Sequence, residues 1–211
     1  MTTRTRVVLA GIAVTLLFGV AALAWAAKDP ASAVARLDVH WHASVRGFAL
    51  RHSAWLSAME VVTHLGDTIV IAVVDAALVA LCLARRRRRL ALFVGLVSVV
   101  GWAARIGIRE WVARPRPTDA LWDERTFSFP SGHTANTAIA AALAMIVLSP
   151  PLRRLTRVAV ITVVVAAALA VGVSRVAGGV HWPSDVVGGL LFAVGVVTLA
   201  AAVFPWPATE P

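Results

Sequence analysis

Three short blocks carry side chains whose types and spacing suit phosphoryl transfer: Arg109 to Pro117 (REWVARPRP), Pro130 to His133 (PSGH) and Ser174 to Asp185 (SRVAGGVHWPSD). Arg109, Arg116 and Arg175 supply permanently charged planar forks that match phosphoryl oxygens better than a single ammonium does. Ser131 and Gly132 stand where a helix should begin, just before His133, so free backbone N–H groups and the positive helix end can face an anion. His181 and Asp185 are four residues apart, with Pro183 and Ser184 as first-turn residues between them. The carboxylate can then reach back to one imidazole nitrogen and leave the other as a nucleophile. Ser174 has two open readings, phosphate ligand or helix-internal hydrogen bond.

The elements that must position these blocks follow from composition. In 211 residues, 59% are hydrophobic and 15% charged, with mean hydropathy +0.81. Those values describe an all-α integral membrane protein, read as one domain over 1–211. Candidate runs for crossing a bilayer lie at about Arg6 to Ala27, Asp67 to Ala84, Leu90 to Ile108, His133 to Leu148, Arg157 to Val173 and Asp185 to Phe204, the fourth being short unless its helix begins at Ser131. The expected architecture is therefore a bundle of six transmembrane helices. Ala138, Ala142, Gly172, Gly188 and Gly189 mark close helix packing. Between the first and second spans, 28–66 mixes Trp41, Phe48 and Trp55 with His40, His42, Arg46 and His64, the pattern of an interfacial helical segment. It would form a lid or a lateral entrance for a lipid.

The short Arg85 to Arg89 link should be cytoplasmic, as should Arg153, Arg154 and Arg157. Alternation then puts both termini inside and all three blocks on the extracytoplasmic side of the cell membrane. The first span reads as an uncleaved anchor, because its apolar stretch exceeds a signal-peptide core. The formal charge of +9 sits at the ends of apolar runs rather than along one polar face, which argues against nucleic acid. Cys82 is the sole cysteine and lies in an apolar run, so neither an intrachain disulfide nor a cysteine metal site is expected. Asp75, inside the second span, is costly unless paired or functional, and it has two open readings: a partner of Arg105 from the adjacent span, or a protonated or water-contacting acid at a bundle seam.

Arranged this way, the residues resemble those of the type 2 phosphatidic acid phosphatase family, membrane lipid phosphatases related to bacterial acid phosphatases and vanadate-dependent haloperoxidases. The family pattern is Lys, six residues, Arg-Pro; then Pro-Ser-Gly-His; then Ser-Arg, five residues, His, three residues, Asp. The second and third elements match throughout; in the first, Arg109 replaces Lys, with Arg116 and Pro117 as the Arg-Pro pair. The competing frame on Arg114 and Pro115 puts Gly107 where a cation is needed. The resemblance implies that His181 attacks phosphorus to form a phosphohistidine and that Asp185 orients it. It assigns His133 to protonating the leaving group and then activating water. Arg109, Arg116, Ser131, Gly132 and Arg175 would hold the phosphoryl oxygens. It further implies no metal and no cofactor. The expected substrate is a lipid phosphate or diphosphate such as undecaprenyl diphosphate, phosphatidylglycerophosphate or phosphatidic acid. The alternative is a noncatalytic lipid-phosphate binding or transport protein.

Overall fold

The computed structural model describes residues 1–148 and 153–206; the sequence places the C-terminal end, 207–211, on the cytoplasmic side, but it lies outside them. Described elements are helical: α1 Thr3–Lys28, α2 Ala33–Arg51, α3 Ser53–Thr63, α4 Thr68–Ala84, α5 Arg88–Val112, α6 Gly132–Leu148, α7 Arg154–Ala177 and α8 Pro183–Val203. A single 3-10 turn, His64–Gly66, links α3 to α4. Local chemistry explains several boundaries. Thr2 and Ser32 accept hydrogen bonds from the N–H groups of Thr5 and Ala35, capping α1 and α2. Pro183 opens α8 at a position where a missing N–H costs nothing, and Asp185 bonds back to the Trp182 N–H at 2.8 Å. α5 stops where Ala113 turns left-handed, with φ 51°.

Four helices, α1, α5, α7 and α8, are each long and apolar enough to cross a membrane. A fifth crossing is available if α3 and α4 act as one broken span, since together they pass the same test with a 47° bend between them. α6, with 17 residues, is the shorter apolar helix that its apolar run suggested. The expected six apolar helices are thus present, although they are not six uniform spans. The segment expected at the interface consists of two helices, and the second of them adjoins α4 through the bend.

The outward surface is apolar and the interior holds the polar groups, as a lipid solvent demands. Phe18, Trp25 and Ile69 are more than 70% exposed, whereas Asp185 and Ser131 are wholly buried. α8 lies at the centre, packed against α1 along its length and against α5, α6 and α7. Its small residues make this possible. A Cβ on Gly188 would stand 2.6 Å from the Phe129 ring, and one on Gly189 would stand 3.0 Å from the Ser131 carbonyl. Phe93, Val94, Leu143 and Phe192 fill the core between α5, α6 and α8. Arg6 reaches the Ala202 carbonyl at one end of the bundle, and Lys28 reaches the Trp111 carbonyl at the other. Chain direction therefore alternates so that α5 and α7 end, and α4, α6 and α8 begin, on the side where the three motif blocks meet.

Candidate active site

His181 sits in the short loop between α7 and α8, buried beneath the 113–131 connection. Its Nδ1 faces Asp185 Oδ2 at 3.4 Å, and its Nε2 lies 3.1 Å from Arg116 Nη1. A guanidinium can only donate, so Nε2 is the acceptor nitrogen and carries the lone pair. Nδ1 then holds the proton and donates it toward Asp185. That is the tautomer a nucleophilic histidine requires. Burial, opposed by Asp185, pushes the His181 imidazole down to about 4, which keeps the lone pair free at neutral pH.

Asp185 is held from behind by an arginine that the favoured motif frame passed over. Arg114 Nη1 donates to Asp185 Oδ1 at 2.6 Å and to Ser184 Oγ at 2.8 Å, while Nη2 donates to Asp38 Oδ2 at 2.6 Å. Asp38 also accepts from the Ser184 N–H. Arg114, Asp38 and Asp185 are all buried, so α2 is tied to the end of the molecule that carries His181. The remainder of α2 grips the same connection, with His42 donating to Asp119 and Arg46 to the Asp119 carbonyl.

His133, in the first turn of α6, faces the same cavity and donates through Nε2 to Asp67 Oδ1 at 3.2 Å. Asp67 in turn accepts from His64 Nδ1 at 2.8 Å. His133 thus has its own orienting carboxylate, independent of the one serving His181. No motif marks Asp67 or Glu124; each becomes significant only through what it faces.

The two histidines look into a cavity of about 160 Å³ lined also by Arg105, Arg109, Arg116, Glu124, Gly132 and Asn136. Arg116 is locked by donation to the carbonyls of Thr126 and Val180, each at 2.6 Å. Arg175 donates to Thr63 Oγ1 at 2.9 Å and to Glu124 Oε1. Glu124 Oε2 lies 3.7 Å from Arg116, so this one carboxylate bridges both arginines. Burial works against its charge, but Arg175 and Arg116 hold the Glu124 carboxyl below the ordinary range. Arg109 lines the cavity while pairing with the adjacent Glu110 at 2.9 Å.

Gly132 forms part of the wall, and a Cβ there would stand 2.9 Å from Arg105 Nη1. Arg105 therefore faces α6 and the cavity; among the described residues it has no ion pair with Asp75 or any other acid. Ser131 is placed beside the cavity rather than on its lining: its N–H donates to the Asp185 carbonyl and its Oγ accepts from Thr134 Oγ1 at 3.0 Å. Ser174 is buried and donates to the Val171 carbonyl at 2.7 Å, which is the helix-internal reading of that residue. A second, mostly apolar cavity of about 450 Å³ lies between α4 and α5 and shares Thr68 and Asn136 with the first.

The sequence profile of the PAP2 superfamily matches residues 108–208. Phosphatidylglycerophosphatase B of Bacillus subtilis (strain 168) is 39% identical over 93 residues, covering 43% of this chain and 45% of that protein. The chain therefore aligns with under half the length of that curated relative. A solved structure, described as a transmembrane PAP2 type phosphatidylglycerolphosphate phosphatase from Bacillus subtilis, superposes with TM-score 0.69 at 26% identity, over 90% of this chain and 93% of that one. Aquifex aeolicus LpxE shares the fold, with TM-score 0.63 at 20% identity over 78% of this chain and 94% of that one.

Proposed function

We propose that the chain, whose residues 108–208 match the PAP2 superfamily profile, is a membrane lipid phosphatase or diphosphatase of that family working through a phosphohistidine. The observation that carries this reading is the His181 tautomer, with Nε2 held as acceptor at the edge of a cationic cavity and Nδ1 directed to a buried carboxylate.

The chemistry follows from that geometry. His181 Nε2 attacks phosphorus as the bond to the leaving oxygen breaks, and the electron pair departs on that oxygen. His133 supplies a proton to it. In the second half His133 takes a proton from water, whose oxygen attacks the phosphohistidine, breaking the P–N bond and releasing inorganic phosphate. Arg116 and Arg175, with Arg109 and the Gly132 backbone, neutralise charge on the phosphoryl oxygens throughout. Glu124 must yield its place on the two arginines when the substrate enters.

Six helical crossings, with α2 at the interface and the cavity on the extracytoplasmic face, would let a lipid keep its tail in the bilayer while its phosphate enters. The basic links at Arg85 to Arg89 and at Arg153 and Arg154 support that orientation. The name of the Bacillus relative favours phosphatidylglycerophosphate among substrates; undecaprenyl diphosphate and phosphatidic acid complete the set to test.

The test is phosphate release from detergent micelles of these lipids, with the His181→Ala protein as blank. Release by the unmodified protein alone, persisting in EDTA, is expected. Tight lipid binding without turnover would instead identify a binding protein.

A further inference from the structure

The elbow between α3 and α4 sets one short stretch of chain against the reacting cavity. Thr63 Oγ1 accepts from Arg175 Nη1 at 2.9 Å. Gly66 lets the turn lie against α6, since a Cβ there would stand 2.9 Å from the His133 Cβ. Asp67 accepts from His133 Nε2 through one oxygen, at 3.2 Å, and from His64 Nδ1 through the other, at 2.8 Å. Thr68 lines the cavity itself. All of these residues precede 108–208, the part of the chain that matches the PAP2 profile.

Asp67 occupies the N-cap position of α4, where a carboxylate ordinarily accepts from the first-turn N–H groups of its own helix. It makes no such bond, and both oxygens turn to the histidines instead. That choice has an electrostatic consequence. A histidine that protonates a leaving oxygen must first be an imidazolium, yet Arg105, Arg109 and Arg116 line the same cavity, and their charge opposes a further cation. Glu124 is given over to Arg116 and Arg175. Asp67 is the acid bonded to His133 among the described residues, and a carboxylate that accepts from Nε2–H favours the charged ring.

We propose that Asp67, clamped by His64, is the positioning carboxylate that keeps His133 charged for proton donation, which makes the α3–α4 elbow a further part of the active site. This rests on the phosphatase reading and deepens it. With Nε2–H committed to Asp67, Nδ1 is the nitrogen that serves the substrate. Its proton passes to the leaving oxygen as the P–O bond breaks, and the ring is left neutral with Nε2–H still on Asp67. In the second half Nδ1 takes a proton from the attacking water, and the imidazolium returns. Asp67 stays ionised throughout. The two histidines are then held in opposite senses: His181 at Nδ1, reacting at Nε2, and His133 at Nε2, reacting at Nδ1.

The leaving group separates this role from a structural one. Dodecyl phosphate must be protonated as its alcohol departs, whereas the phosphate ester of a nitrophenol bearing an octyl chain releases a stable phenolate without an acid. The measurement is kcat/KM, which reports only the steps up to that departure. Asp67→Asn should lower it about thirtyfold for dodecyl phosphate and less than about threefold for the aryl ester, a ratio within the strength of a hydrogen bond to a charged group. His64→Leu should show the same selective loss, about fivefold, and His64→Asn, whose amide N–H can stand in for Nδ1–H, should restore most of it. Equal losses on the two esters, or none on either, overturn the proposal. His64 is exposed, so if Asp67→Asn does not fold, the His64 variants decide. Failure of the unmodified protein to release phosphate from either ester would instead sink the phosphatase reading itself.

Discussion

Arg114 Nη1 lies 2.6 Å from Asp185 Oδ1, and both groups are shut away from solvent. Asp185 is thus shared between two partners, the imidazole that it orients and the guanidinium that fixes it. A carboxylate so held cannot rotate away from His181. The same guanidinium anchors Asp38 of α2, so α2 and the loop carrying His181 are organised by one cation.

Arg114→Ala should therefore damage folding and catalysis together. It strands two buried carboxylates, a change that costs about 3–5 kcal/mol in comparable buried pairs. Thermal unfolding in detergent should fall by several degrees, and kcat should fall more than KM changes, since His181 loses its orientation. Arg114→Lys restores charge but cannot bridge Asp185 and Asp38 in a bidentate manner, so stability should recover more than kcat does. A fully active Arg114→Ala protein would remove this arginine from the machinery.

The pH profile should carry the mark of His181. With burial pushing its imidazole down to about 4, the neutral nucleophile persists well below the ordinary histidine range. The acid limb of kcat/KM, which reports the free enzyme, is expected below pH 5 rather than near 6.5. Stability follows the same sign. The folded group is depressed relative to the unfolded one, so its contribution is complete above about pH 6.5 and is lost as pH falls toward 4. An acid limb centred at 6.5 would contradict a buried, neutral His181.

Glu124→Gln removes the carboxylate that bridges Arg116 and Arg175. Orthovanadate, which mimics the five-coordinate phosphoryl state, should then inhibit more tightly, about tenfold for 1.4 kcal/mol of relieved competition. Weaker inhibition would show that Glu124 positions the arginines more than it competes for them.

The sequence made His181, His133, Asp185, Arg116 and Arg175 legible because motif spacing encodes an order of residues that one helix end after another can deliver to a single place. Apolar run length did the same for the helices, with α6 visibly short. What could not be read was set by tertiary approach. Arg114 lost to Arg116 on spacing alone, yet the two point to opposite sides of the same loop, one to Asp185 and the other to His181 Nε2. Asp38, Asp67 and Glu124 lie outside the motifs, and each meets an arginine or histidine 51 to 76 residues away. Of the two readings open for Asp75, pairing with Arg105 is not the one seen, because the Arg105 side chain approaches Gly132 instead.

Ser174 and Ser131 supply a contrast that substitution can resolve. Ser174 Oγ is spent on the Val171 carbonyl inside α7, and such a bond contributes about 1 kcal/mol. Ser174→Ala should lower thermal stability slightly and leave kcat/KM within about threefold. Ser131→Ala loses the Thr134 contact at the start of α6, yet the Ser131 N–H bond to the Asp185 carbonyl survives because it belongs to the backbone. Its activity should fall only moderately. A loss as deep as that of His181→Ala would mean that the Ser131 hydroxyl turns into the cavity to hold phosphate.

Gly132 tests the same wall from the backbone side. An alanine methyl there would meet Arg105 Nη1 at 2.9 Å, closer than real Cβ contacts permit. The guanidinium is the far end of a flexible side chain, so it should yield rather than the helix, and Gly132→Ala should fold with nearly unchanged thermal stability. The displaced Arg105 would no longer hold its place in the wall of the small cavity. Activity should drop about tenfold or more, while the double variant Gly132→Ala with Arg105→Gln should be no worse than Arg105→Gln alone, the non-additivity expected of residues acting through one contact. Fully additive losses would show that Gly132 serves through its own N–H group, independently of the arginine.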